Sequence, residues 1–127
     1  MFSHMVIGSN DLARSKTFYD ALFAAVGGEP GTTDALGRLV YAHRGSRFVI
    51  TRPINGEAAT AANGGTIGFA MDGPDQASAW HEAGVTHGGT SVENPPGERR
   101  TPMGRIYLAY LRDPDGNKLC ARYKFAD

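Results

Sequence analysis

One order of elements occurs twice in this chain, and that repetition constrains the fold more than any single motif. Met5 and Ile7 alternate with His4 and Val6, which predicts a strand. Ser9, Asn10 and Asp11 follow, and short polar side chains there can cap the free N–H groups of a helix. Leu12, Tyr19, Leu22, Phe23 and Val26 lie near one face of that helix, and Gly27-Gly28 with Pro30 end it. After a glycine-containing loop to Gly37, strands at 38–42 and 47–51 flank a turn at Arg44-Gly45. The second half runs the same way: a strand at 66–71, a helix at 74–83 with Pro74 in its first turn, and a long loop at 88–104. Strands at 105–112 and 117–123 close it around Asp113-Pro114-Asp115-Gly116, a strong turn sequence. Sliding the chain by 62 residues places His4 on Thr66, Phe18 on Trp80 and Asp20 on Glu82. In the hairpins a shift of 71 places Gly45 on Gly116, Phe48 on Leu119 and Val49 on Cys120. The expectation is one domain over 1–127, built as module one at about 1–53, a linker at 54–65 and module two at about 66–127.

Charge and composition remove whole classes of function. Thirteen Lys and Arg balance thirteen Asp and Glu, whereas a nucleic-acid protein carries a basic excess. No apolar run reaches the roughly 18 residues of a membrane span. One cysteine cannot make an internal disulfide, and no signal-peptide pattern opens the chain. The expected compartment is the cytoplasm, with neither nucleic acid nor membrane as partner.

Strand alternation sorts the side chains into two faces. One set is wholly apolar or aromatic: Met5, Ile7, Leu39, Tyr41, Phe48, Ile50, Ile67, Phe69, Met71, Ile106, Leu108, Tyr110, Leu119, Ala121 and Tyr123. Helices are expected to cover it. The other set mixes small, apolar and cationic groups: His4, Val6, Arg38, Val40, Arg47, Val49, Thr51, Thr66, Gly68, Tyr107, Ala109, Leu111, Lys118, Cys120 and Arg122. An apolar lining with a few polar groups is the makeup of a ligand cleft. Taking the second hairpin loop as even in length puts Tyr107 on the face of Cys120.

These pieces resemble a known family. The start His4-Met5-Val6, the helix Asp11-Leu12-Ala13-Arg14-Ser15 with Phe18-Tyr19, and the turn from Arg112 through Asp113-Pro114-Asp115-Gly116-Asn117 to Leu119 are similar to the vicinal oxygen chelate superfamily. That superfamily includes glyoxalase I, bleomycin-resistance proteins and extradiol dioxygenases. The resemblance implies an α+β fold of two βαβββ modules in a curved sheet that encloses a cleft, and a homodimer. It also implies a divalent metal held at the first and last strands of each module. His4 matches the first-strand ligand of module one. Its counterpart in module two is Thr66, where the family has His. The last-strand ligand, commonly Glu, is Cys120 here, and the matching position in module one is about Val49.

Two accounts of function stay open at this point. The first is a glyoxalase/bleomycin-resistance-like protein that holds a small organic molecule in its cleft, a lyase or isomerase if it is an enzyme, with a degenerate metal site at His4 and Cys120. The second is a non-catalytic module that binds or sequesters a small anionic or aromatic compound, with no cofactor. Arg38 and Arg122 are the expected anion hooks. Tyr107 can donate to a ligand oxygen or stack on a ring, and Val49 and Thr66 complete the lining. Cys120 as a nucleophile needs an activating base, and no third orienting residue is evident. The charged segment Glu98-Arg99-Arg100 falls in the longest loop and is expected to be simply solvated, with a lid or a partner contact as the alternative.

Overall fold

The computed structural model describes residues 1–126. The first module runs β1 (His4–Gly8), α1 (Leu12–Ala24), β2 (Thr32–Thr33), β3 (Leu39–His43) and β4 (Ser46–Thr51). The second runs β5 (Ile67–Ala70), α2 (Pro74–Thr86), β6 (Thr90–Ser91), β7 (Gly97–Thr101), β8 (Gly104–Arg112) and β9 (Lys118–Lys124). The first sheet has the order β1-β4-β3-β2 and the second β5-β9-β8-β6. In each, the first strand lies parallel to the last and the last two form a hairpin. The two shifts read from the sequence meet in this register: Val6 pairs with Val49, and Gly68 with Cys120.

Local chemistry sets the helix ends. The Asp11 carboxylate accepts from Arg14 N–H at 3.0 Å, the N-cap bond expected there. Pro74 opens α2, where its missing N–H costs nothing. That helix runs on through Gly84 to Thr86, beyond the expected end at 83, and Gly84 is buried within it. A Cβ on Gly84 would lie 2.4 Å from Leu111 Cδ1 and 3.1 Å from Leu22 Cδ2, so only glycine lets α2 sit this close to β8 and α1. The helices pack on one another, and α2 lies across β8 and β9. Phe18, Tyr19 and Leu22 from α1, Trp80 from α2, and Tyr41, Ile50, Leu111 and Leu119 from the sheets are all at most 2% exposed and form one core.

Three expectations are corrected. The loop at 88–104 contains two strands, and Glu98-Arg99-Arg100 lies in β7, paired with β8, so it is no lid. Prolines at 95, 96 and 102 and the charged sequence hid that strand; charge and proline are common on sheet edges, where they discourage pairing with other chains. The short β2 lies inside the loop expected to run to Gly37. The faces of β8 are also reversed. The loop between β8 and β9 is 113–117, closed by Asp113 N–H donating to Asn117 O at 2.9 Å. Asn117 therefore belongs to the loop and its length is odd, which turns every side chain of β8 over. Tyr107, Ala109 and Leu111 pair with Tyr123, Ala121 and Leu119 on the helix-covered face, while Leu108 and Tyr110 pair with Arg122 and Cys120 on the other. The first hairpin has the even loop Arg44-Gly45, and there Val40 faces Val49 as expected.

The residues that carry the family resemblance touch each other. Tyr19 O–H donates to Asp113 Oδ2 at 2.6 Å, and Asp113 Oδ1 accepts from the N–H groups of Asp115 and Asn117. Asp115, its side chain 2% exposed, accepts from Asn10 N–H, Arg14 Nη2 and Ser15 Oγ. Asn117 Nδ2 donates to Gly8 O at 3.3 Å. The helix motif of module one and the turn motif of module two are thus the two halves of one buried polar clamp. Burial first, and the Asp113 carboxylate second, push the Tyr19 phenol well above its ordinary range, so it stays a donor.

Candidate functional site

A crevice of about 510 Å3 opens where the end of the first sheet meets β5 and α2. Its walls are aromatic. Phe69 lies 5.5 Å from Phe48, 5.9 Å from Trp80 and 6.2 Å from Phe23, ring centre to ring centre. Phe23 stacks on Tyr41 at 4.5 Å and meets His43 edge-on. Alternation on β4 and β5 turns Phe48 and Phe69 toward the helices, and the crevice is the part of that interface the core leaves unfilled. Tyr41 O–H donates to Asp20 Oδ1 at 2.6 Å, which keeps the polar end of that ring satisfied. Partial burial works against the Asp20 carboxylate, but hydrogen bonds from Lys16, Tyr41 and Gly31 N–H outweigh it and hold its pKa below the ordinary value.

The polar groups of the crevice include His4, His43, Arg44, Arg47, Asp72 and Gln76. Arg44 Nη1 donates to Asp72 Oδ1 at 2.7 Å, a pair that joins the β3–β4 turn of module one to the start of module two. Among the described residues no carboxylate pairs with Arg47. His4 lies with Ser3 Oγ 2.7 Å from its Nδ1, on the face of β1 opposite Met5 and Ile7.

The other expected site residues lie apart from this crevice, and three of them share the outer face of the second sheet or its edge. Cys120 stands between Gly68 and Tyr110 in register, with Lys118 and Arg122 on either side along β9. Lys118 pairs with Glu93 and lies over the Tyr110 ring at 5.0 Å. Burial pushes the Cys120 thiol up, against a smaller opposite effect of its hydrogen bond with Tyr110, so at neutral pH it is a protonated thiol and not a poised nucleophile. Thr66 is exposed just before β5. Val49 is 2% exposed and lies between Val6 and Val40 on the first sheet.

Two expected ligand contacts are displaced. Tyr107 lies under α2, where its hydroxyl shares a 2.6 Å hydrogen bond with Ser78; the odd hairpin loop put it there. Arg38 is bound locally: Nε donates to Asp34 Oδ2 at 2.7 Å while its N–H donates to Asp34 Oδ1, closing a turn before β3. Sequence reasoning missed Arg44 and Asp72. Two residues 28 apart carry no local pattern, and the only signal was an arginine in a turn that favours Asn or Gly.

The donor set does not suit the divalent metal that the resemblance implies. Of the four matching positions, Val49 has no donor atom and Thr66 offers only a hydroxyl. Among the described residues no group of three His, Cys, Asp or Glu side chains converges, and protein zinc sites use three or four such ligands. Among the described residues no helix is long and apolar enough to cross a membrane.

Comparison with known proteins places this architecture. The Glyoxalase/Bleomycin resistance protein/Dioxygenase superfamily matches residues 1–121. The crystal structure of a glyoxalase/bleomycin resistance protein from Albidiferax ferrireducens T118 superposes with a TM-score of 0.94 at 52% identity, over 98% of this chain and 99% of that one. A glyoxalase-related enzyme from Fulvimarina pelagi gives 0.74 at 19% identity, over 98% of this chain and 88% of that one. A glyoxalase/bleomycin resistance protein/dioxygenase family enzyme from Burkholderia phytofirmans PsJN gives 0.70 at 15%, over 97% and 98%. The last two are alike in fold. No curated protein matches the chain. Two βαβββ modules of one topology, joined by the clamp between the Ser15–Tyr19 helix and the Asp-Pro-Asp-Gly-Asn turn, agree with these matches, and the chain belongs to the glyoxalase/bleomycin resistance protein/dioxygenase superfamily.

Proposed function

We propose that the protein binds a small organic molecule with an apolar or aromatic body in the crevice between its modules, without metal chemistry. The observation that supports this is the aromatic wall of Phe23, Phe48, Phe69 and Trp80 around about 510 Å3. Volumes of this size and linings of this kind suit small-molecule ligands. The chemistry at Val49 and Thr66 favours a binding role over the lyase or isomerase reading. A homodimer belongs to the same proposal and is supported by the superfamily to which the chain belongs.

Trp80 is the only tryptophan and lines the crevice, so its emission reports on occupancy. Titration with 3-phenylpropanamide, which is transparent where tryptophan is excited, is expected to give a saturable change. Phe69→Ala, with its fold checked by circular dichroism, should weaken binding about tenfold, the value of roughly 1.4 kcal/mol of lost aromatic contact. No saturable change in the wild type, across a panel of such compounds, would remove the proposal. Metal analysis of protein prepared without chelator tests the rival reading. Stoichiometric metal that disappears in His4→Ala would put the enzyme ahead.

A further inference from the structure

Arg44 occupies an unfavourable position. Its φ is +51° and that of Gly45 is +84°, so the pair forms the two central residues of a tight hairpin turn between His43 and Ser46. Such a turn needs positive φ at both places and favours Asn-Gly, while a long side chain there is strained. Strained backbone of this kind clusters at functional sites. Here the turn carries the guanidinium from module one to Asp72 of module two, and both residues belong to the crevice. The pair is open to water, with side chains 58% and 61% exposed, and exposed pairs of this kind contribute little to stability. Stability alone therefore does not explain an arginine at this turn. Among the described residues only Nη1 of Arg44 is engaged; the remaining donors of a planar fork suited to a carboxylate have no partner there. Arg47, with no paired carboxylate among the described residues, adds a second positive charge to the same crevice.

We propose that Arg44 selects a ligand bearing a carboxylate, and that Asp72 is a built-in occupant which the ligand's carboxylate displaces. The inference rests on the binding role proposed above and adds the charge of the ligand. The aromatic body enters between Phe48, Phe69 and Trp80, and its carboxylate takes the place of Asp72 on the guanidinium.

The test compares 3-phenylpropanoate with its neutral amide by calorimetry, in the wild type and in Asp72→Asn, Arg44→Gln and Arg44→Asn. Asp72→Asn should tighten carboxylate binding at least threefold relative to the amide. Arg44→Gln should reduce carboxylate affinity to that of the amide. Arg44→Asn should do the same while raising the melting temperature, because Asn suits the turn; this separates lost recognition from lost folding. If the amide binds all four proteins and the carboxylate responds to none of the substitutions, the selection by Arg44 is wrong and the binding role stands. If neither compound binds the wild type, the binding role fails and the inference goes with it.

Discussion

Replacing Tyr19 by Phe should cost about 2 kcal/mol of folding stability, the usual worth of a hydrogen bond to a charged acceptor. Tyr19 is fully buried and its hydroxyl lies 2.6 Å from Asp113 Oδ2. After the change Asp113 still accepts from Asp115 N–H, Asn117 N–H and Asn117 Nδ2, so the carboxylate stays solvated by the protein. Asp113→Ala is worse. It strands a fully buried phenol, at about 1–3 kcal/mol, and also removes the acceptor of three loop donors, so its loss should exceed that of Tyr19→Phe. The double variant should cost less than the sum, because Phe leaves no hydroxyl to strand; the coupling should be about 1–3 kcal/mol. Urea unfolding followed by Trp80 emission measures all four corners, with the slope unchanged if the denatured state is unaffected. Tyr19→Phe within 0.5 kcal/mol of wild type, together with additive losses, would show that this bond does not clamp the modules.

The remaining predictions concern packing, pH and reactivity. Gly84→Ala gains about 1 kcal/mol of helix propensity but forces a Cβ to within 2.4 Å of a Leu111 methyl in a fully buried site. Overpacking of about 1–3 kcal/mol should win, and a raised melting temperature would contradict this. Asp20 has a folded-state pKa below its ordinary 3.8, so it stabilises the protein above that value and the benefit fades as pH falls through the folded pKa. Asp20→Asn should therefore lose stability at neutral pH and show a shallower decline in acid, and an unchanged pH profile would refute the assignment. Cys120, 6% exposed with its thiol pushed up by burial, should react with iodoacetamide at neutral pH at least about 10-fold slower than in the unfolded chain. Equal rates would mean the thiolate is present and accessible.

The repeated strand–helix–strand order, the N-cap at Asp11, the proline start of α2 and the inward faces of β1, β4, β5 and β9 were legible in the sequence, because each depends on neighbours a few residues away. The clamp motif was legible as a resemblance, but its use was not: Tyr19 and Asp113 are 94 residues apart, and only the folded chain joins them. One residue of loop length decided the orientation of β8, since a strand has period two and an odd loop reverses it. Asn117 is drawn into that loop by the Asp113 carboxylate four residues before it and by Gly8 O of module one, and the second partner exists only in the folded chain. The same limit explains the site. Tyr107 has the chemistry of a ligand contact, but Ser78, 29 residues away, holds it elsewhere; Arg38 is held by Asp34, four residues before it, a local pair that the sequence reading passed over. Arg44 looks like an ordinary turn residue until Asp72 is found across from it. Short-range propensity and periodicity thus determined the elements and most of their faces, while the pairing of distant polar groups, which depends on how the modules dock, was decided by the tertiary structure alone.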